Sequence, residues 1–350
     1  MADQAGNDEF DDDLERPRVL VAGASGFAGA LAARLIDRHP RFRLSAITSR
    51  SDAGTPLNAL YPHHRVPLVL EELNLDLEHQ GEVDAAIVAY PHGASAPLVA
   101  ELLEGGVKVI DLSADFRLRD LSVYEEYYVR HPHPELLEES VYGLPELYRS
   151  AIAETMLVAG PGCYPTAAIL TLAPLARAGL LGDVIIDAKS GVSGAGRAAT
   201  QRTHFVTVDE NVTPYGVGTH RHAPEIDQEL VALGAREDLK VTFTPHLLPL
   251  DQGELVSCYV TVSDDASVDD VVELYENAYA GEPFVDVVTR PPGVRDVRET
   301  NICSINVQVD PRTGKVLAFG AIDNLWKGTS SQALQSLNLM FGFDETEGLL

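Results

Sequence analysis

The chain has 350 residues, room for two domains, and 45% of them are hydrophobic, enough to bury a substantial core. A formal net charge of -27 argues against nucleic acid and anionic membrane as partners. There is no apolar run near the ~18 residues of a membrane span. The start is acidic, unlike a signal peptide, and three cysteines make no disulfide framework, so the expected location is the cytoplasm.

Residues 1–16 carry Asp3, Asp8, Glu9, Asp11, Asp12, Asp13 and Glu15 and read as an acidic disordered tail. Residues 18–23 read as a strand running into Gly23-Ala24-Ser25-Gly26-Phe27-Ala28-Gly29. An Ala/Leu-rich helix over 30–38 and a second strand over 43–48 follow. Strand, glycine-rich turn, helix, strand is the dinucleotide-binding unit, whose glycines let backbone approach a pyrophosphate at a helix N-terminus. The second strand ends in Thr48-Ser49-Arg50-Ser51. An NAD-specific site would place a carboxylate there, whereas an arginine between hydroxyls suits a 2′-phosphate, so the expected cofactor is NADP(H).

Residues 83–89 are a near-continuous apolar run, as in a strand buried on both faces. The run ends in Tyr90-Pro91-His92-Gly93-Ala94-Ser95, ahead of a helix over 97–104; His92 is given no catalytic part. A strand over 107–112 ends in Ser113-Ala114-Asp115-Phe116-Arg117. Turns at the carboxyl ends of such strands line one crevice. Residues 124–148 read as irregular, with Tyr142-Gly143-Leu144-Pro145-Glu146 as a turn signal.

Gly160-Pro161-Gly162-Cys163-Tyr164-Pro165-Thr166 lies between an apolar run over 156–159 and a helical pattern over 167–178. Pro165 suits a first helical turn. Cys163 thus falls just ahead of a helix N-terminus, where the dipole and free N–H groups favour a thiolate and can lower its pKa below ~8.5. The same groups can hold an oxyanion. Cys163 is read as a nucleophile. Cys258 and Cys303 alternate in phase with apolar neighbours and read as core residues.

Alternating runs over 184–188, 241–244, 255–262 and 302–309, with helical patterns over 223–233 and 268–279, suggest a second, α+β domain. Ser190-Gly191-Val192-Ser193-Gly194-Ala195-Gly196-Arg197 is a small-residue loop suited to an anionic substrate. Arg117, Arg197, Arg202 and Arg221 are the candidate local cations. A thiol beside a nicotinamide points to chemistry between acyl and aldehyde, which needs a proton carrier. His220, in the polar cluster 216–225, is read as that acid/base, with His222 as second choice. No ligand set with metal spacing completes the two histidines, so no metal is expected. A helix over 329–340 is expected to return to the first domain.

These stretches, in order, resemble the motifs of N-acetyl-gamma-glutamyl-phosphate reductases. The matching segments are 23–29, 112–117, 142–146, 158–167 with 172–174, 190–197, 220–225 and 322–324, covering nearly the whole chain beyond the tail. The resemblance implies NADPH-dependent reduction of N-acetyl-L-glutamyl 5-phosphate to the 5-semialdehyde with release of phosphate, a step of arginine biosynthesis. It implies a thioester on Cys163 and His220 as acid/base. Cofactor contacts would come from Gly23, Ser25, Gly26, Phe27, Ala28, Ser49, Arg50, Ser51 and Asn324. Substrate contacts would come from Arg117, Ser190, Gly191, Arg197 and Glu225. It implies a Rossmann-type domain over 17–162 completed by 327–350, an α+β catalytic and dimerisation domain over 163–326, and a homodimer or homotetramer. One residue departs: Gln252 stands in Pro249-Leu250-Asp251-Gln252-Gly253 where the family usually has arginine. Tyr164 after the nucleophile favours the free acetylated substrate over a carrier-bound one.

Overall fold

Short apolar strands separated by helices build the first sheet. The computed structural model describes residues 16–73, 83–262 and 271–350; the tail over 1–15 and the first residues of the helix expected from 268 lie outside them. β1 (Arg18–Ala22), β2 (Arg43–Thr48), β3 (Ala85–Val88), β4 (Lys108–Asp111), β5 (Val141–Tyr142) and β6 (Leu157–Ala159) pair in parallel in the order β2-β1-β3-β4-β6-β5. Helices α1 (Phe27–Asp37), α2 (Ala96–Glu104) and α3 (Pro145–Glu154) belong to this half. The strand order reverses between β1 and β3, and there Gly23 closes against Ala89: a Cβ on Gly23 would lie 2.5 Å from the Ala89 carbonyl oxygen.

The stretch 124–148, expected to be irregular, contains structure. A helix over Leu121–Tyr127 is capped by Asp120, whose carboxylate accepts from the Ser122 and Val123 N–H groups. A 3₁₀ turn over Pro134–Leu137, β5 and the start of α3 follow. Elements this short show no readable period.

The second sheet is mixed. β7 (Leu181–Ser190), β8 (Thr213–Pro214), β9 (Thr242–Leu247), β10 (Glu254–Val262), β11 (Val285–Val287), β12 (Cys303–Val309) and β13 (Val316–Ile322) run in the order β11-β12-β13-β10-β7-β9-β8. Against it packs α4 (Cys163–Arg177), with every residue from Tyr164 to Ala176 buried. α4 begins four residues before its apolar pattern does, because Gly162, extended at φ −69° and ψ 155°, serves as N-cap and Pro165 fits the first turn. Cys258 and Cys303 are 1% and 0% exposed, on strands β10 and β12. α5 (Ala223–Ala232) and α6 (Val271–Ala278) complete this half.

After β13, a wide turn over Trp326–Ser330 leads into α7 (Ser331–Met340). Ala333, Leu334, Leu337 and Met340 join the core formed by Val19, Val21, Ile47, Ile87 and α1, so α7 packs with the first sheet. Among the described residues no helix is long and apolar enough to cross a membrane.

Candidate active site

The strand-to-helix turn Gly160–Gly162 links β6 to α4, where small residues are imposed by neighbours. A Cβ on Gly160 would press on Leu112 and the Asp111 carbonyl at 3.0–3.1 Å, and one on Gly162 would lie 2.6 Å from His222 Nε2. Two buried side chains hold this turn from below. Arg117 donates from Nε to the Gly160 carbonyl at 2.7 Å and from Nη2 to the Leu112 carbonyl at 2.9 Å. Its Nη1 lies 3.5 Å from Glu225 Oε2. Glu225 Oε1 in turn accepts from the Gly162 N–H at 3.0 Å and the Tyr142 hydroxyl at 2.7 Å. Arg117 and Glu225, expected among the substrate contacts, therefore point at the backbone of the Cys163 turn, and each is at most 5% exposed.

Cys163, the first residue of α4, borders two adjoining cavities. One, of about 330 Å³, runs from Gly26, Phe27 and Ala28 past Tyr90 to Asn324. The other, of about 490 Å³, is walled by Tyr164, Ser190, Gly191, Arg202, His220, Arg221 and His222. The sequence leads one to expect a lowered thiol pKa, but the surroundings of Cys163 act in the opposite direction. Burial, then the charge and hydrogen bonding of Glu254, push the Cys163 thiol well above its ordinary value, and the Tyr164 N–H at the helix start offsets this only in part.

Glu254, at the head of β10, was not singled out from the sequence. A signal was present: it falls in phase with Val256, Cys258 and Val260, all on the buried face. Burial raises its pKa to about 8.

His220 and His222 have ring centroids 4.9 Å apart and meet the Tyr164 ring at 5.9 and 6.0 Å. The His222 backbone N–H donates to His220 Nδ1 at 3.2 Å. Burial lowers both, His220 to about 4, and Arg221 nearby lowers them further, so both imidazoles are neutral at pH 7. His222 Nδ1 is buried without a hydrogen-bond partner among the described residues.

At the other end of the crevice, α1 starts at Gly26 with no side-chain cap, leaving its first N–H groups free. Ser25 and Ser49 hydroxyls meet at 2.8 Å, Ser49 and Ser51 at 3.5 Å, and the Arg50 guanidinium sits 5.1 Å from the Tyr90 ring centroid. Uncapped N–H groups beside a glycine cradle fit a dinucleotide pyrophosphate. Arg197, expected beside the substrate, pairs instead with Asp52 at 3.0 Å and donates to the Ser25 carbonyl at 3.3 Å, at the nucleotide end. Asn324 borders the crevice, but its amide is committed: Oδ1 accepts from the Gly253 N–H at 2.8 Å and Nδ2 donates to Ser193 at 3.0 Å. Ser190 and Gly191 do wall the cavity at Cys163. Gln252 lines a separate cavity with Arg34, Tyr61, His63, His64 and Trp326, whereas His220 and His222 line the one at Cys163.

Residues 18–155 match the family model described as semialdehyde dehydrogenase, NAD binding domain, and 163–324 match semialdehyde dehydrogenase, dimerisation domain. The chain is 49% identical to the N-acetyl-gamma-glutamyl-phosphate reductase of Moorella thermoacetica over 94% of its length and 96% of the relative's. The reductase of the same name from Desulforudis audaxviator is 48% identical over 95% and 98%. Among solved structures, aspartate semialdehyde dehydrogenase II of Vibrio cholerae superposes with a TM-score of 0.71 over 94% of this chain and 99% of that one, at 18% identity. The Candida albicans aspartate semialdehyde dehydrogenase with NADP gives 0.69 over 93% and 99%, at 14% identity, a likeness of fold. The sequence relatives, joined to a crevice with its cysteine at a helix start, establish that the chain belongs to the N-acetyl-gamma-glutamyl-phosphate reductase family of the semialdehyde dehydrogenases.

Proposed function

We propose that the crevice reduces N-acetyl-L-glutamyl 5-phosphate to N-acetyl-L-glutamate 5-semialdehyde with Cys163 as nucleophile and His220 as acid/base. The observation that carries this reading is the place of Cys163: one sulfur borders both the nucleotide cavity and the histidine cavity. The neutral imidazole of His220 takes the thiol proton as sulfur attacks the acyl carbon, and hands it to the departing phosphate. The acyl group is left on Cys163 as a thioester. NADPH, when bound, supplies hydride to that acyl carbon. The resulting oxyanion on the sulfur adduct is held by N–H groups of the first turn of α4. Its collapse breaks the C–S bond and releases the aldehyde, and His220 returns a solvent proton to sulfur. Arg202 and Arg221, on the wall of the histidine cavity, serve the substrate's anionic groups. Arg117 and Glu225 hold the Cys163 turn; Ser190 and Gly191 line the acyl site.

For the cofactor we assign the turn Gly23, Ser25, Gly26, Phe27 and Ala28 to the pyrophosphate. Ser49, Arg50 and Ser51 are assigned to the 2′-phosphate, which makes the cofactor NADP(H) rather than NAD(H). Arg197 and Asn324 close the nucleotide crevice from the second half. Residues 17–162 with 327–350 act as the nucleotide-binding unit and 163–326 as the catalytic and dimerising one, in a cytoplasmic homodimer or homotetramer.

The test is reduction of NADP+ by N-acetylglutamate semialdehyde, with and without phosphate. Phosphate-dependent turnover is expected, and Cys163→Ala is expected to lower kcat by at least about a thousandfold with an unchanged Tm. Turnover that survives this substitution sinks the mechanism.

A further inference from the structure

Glu254 is a buried acid with no evident structural task. It opens β10, where the register pairs it with Ser190 of β7 on one side and Ile322 of β13 on the other. The preceding Gly253 takes a φ of 118° and donates its N–H to Asn324 Oδ1, which pins the strand entry. Glu254 is 0% exposed. Neither of its carboxyl oxygens has a partner at full hydrogen-bond geometry among the described residues. Both of its ladder partners approach Cys163, Ser190 on the wall of the same cavity and Ile322 across Gly328, so the Cys163 thiol, the Ser190 hydroxyl and the Asp323 carboxylate are the groups that bear on it. Tyr164, Tyr215 and Cys303 also lie within reach of its charge.

An unpaired carboxylate in such a place is strongly disfavoured and keeps its proton instead. Two anions side by side, a thiolate and a carboxylate, are worse still, so the two groups titrate as a pair. We infer that Glu254 is a positioning residue for the nucleophile: with Cys163 it forms an acid pair that carries at most one negative charge, and its protonated carboxyl donates to the sulfur when the thiolate forms. The inference rests on Cys163 being the nucleophile. Burial and the Asp323 charge raise Glu254, with Cys163 and Ser190 offsetting this in part, while burial and Glu254 raise the Cys163 thiol. At neutral pH Glu254 keeps its proton, so the charge that forms on sulfur when the thiol proton leaves meets no carboxylate. Once the medium is alkaline enough to ionise Glu254, its charge opposes the thiolate.

The experiment is the rate of Cys163 alkylation by iodoacetamide in the full-length protein, followed from about pH 6 to about pH 10 with Cys258 and Cys303 as buried controls. The wild-type rate is expected to flatten as Glu254 ionises near pH 8. Glu254→Gln keeps a donor but cannot ionise. It should lose the flattening and titrate at least about one pH unit lower, which is about tenfold more thiolate at a given pH. Glu254→Asp should restore the flattening. A Glu254→Gln profile that matches wild type, with Cys163 still selectively alkylated, overturns the pairing. Failure of wild-type Cys163 to react selectively overturns the nucleophile reading beneath it. Should Glu254→Gln not fold, infrared difference spectra of the wild type decide. A protonated-carboxyl band must shift when Cys163 is alkylated, and a band that does not respond overturns the pairing.

Discussion

At Gly162 a single hydrogen separates the nucleophile's turn from the His222 ring. A methyl group there would sit 2.6 Å from Nε2, so Gly162→Ala must push the imidazole away from Cys163 or bend the helix start. Misplacement on this scale costs about a hundredfold in rate. We expect Gly162→Ala to lose about that much kcat while its thermal midpoint stays near wild type; steady-state kinetics beside a melting curve check both. Arg50 offers a second residue-scale test. Replacing it by Ala removes the charge assigned to the 2′-phosphate, and the KM for NADPH should rise about tenfold while that for NADH is unchanged. Equal changes for both cofactors would move the 2′-phosphate site elsewhere. The cysteine itself was readable from Gly, Pro and a helical pattern, all of which lie beside it in sequence. Its ionisation was not, because the acid that governs it belongs to a strand far downstream. The contacts that Arg117 and Glu225 make with the Cys163 turn were hidden for a related reason. Both are charged, but the carbonyl, N–H and carboxylate they satisfy come from separate segments that only the fold assembles.

At the level of elements, α7 is fixed to the first half by a buried ion pair. Lys327 Nζ lies 2.5 Å from Glu146 Oε1 of α3 and 2.9 Å from Gln335 Oε1, and both charged side chains are 0% exposed. Removing one partner strands the other charge in the core, which costs about 3–5 kcal/mol. Lys327→Met should lower stability by that amount in urea unfolding, and Lys327→Met with Glu146→Leu should recover most of it. A single variant as stable as wild type would mean that Glu146 finds another partner or a proton at little cost. Long elements were legible: β1, α1, β2 and the body of α4 all carry enough residues to show an apolar period. β5, β8 and β11 span two or three residues each and carry none. β13 was concealed differently, since Gly320 and its small neighbours weaken the strand signal. A Cβ on Gly320 would strike the Thr171 hydroxyl of α4, so glycine is what lets helix and sheet meet there.

The whole molecule has an acid-sensitive seam where its last residues meet its first half. His39, 2% exposed, accepts the Arg41 and Phe42 N–H groups on Nδ1 at 3.1 Å each and contacts the Glu347 carbonyl through Nε2 at 3.0 Å. His64, 7% exposed, bonds the Ala30 carbonyl at 3.1 Å. Burial lowers the pKa of both, His64 to about 4. Below the ordinary histidine value of 6.5 the unfolded chain therefore binds more protons than the native one. The stability these rings contribute is complete above pH 6.5 and is lost as pH falls below it, for His64 down to about 4. Urea midpoints should decline over that window, and His39→Gln should flatten the decline and loosen residues 341–350 in hydrogen exchange. The chain passes between its two halves at two places, through Gly160–Gly162 and through the turn after β13. Both crossings meet at Cys163, for a Cβ on Gly328 would lie 2.8 Å from the cysteine's own Cβ. Cys163 thus lies where the two crossings touch, and any tilt of one half against the other would displace it less than the residues at the outer ends of the crevice.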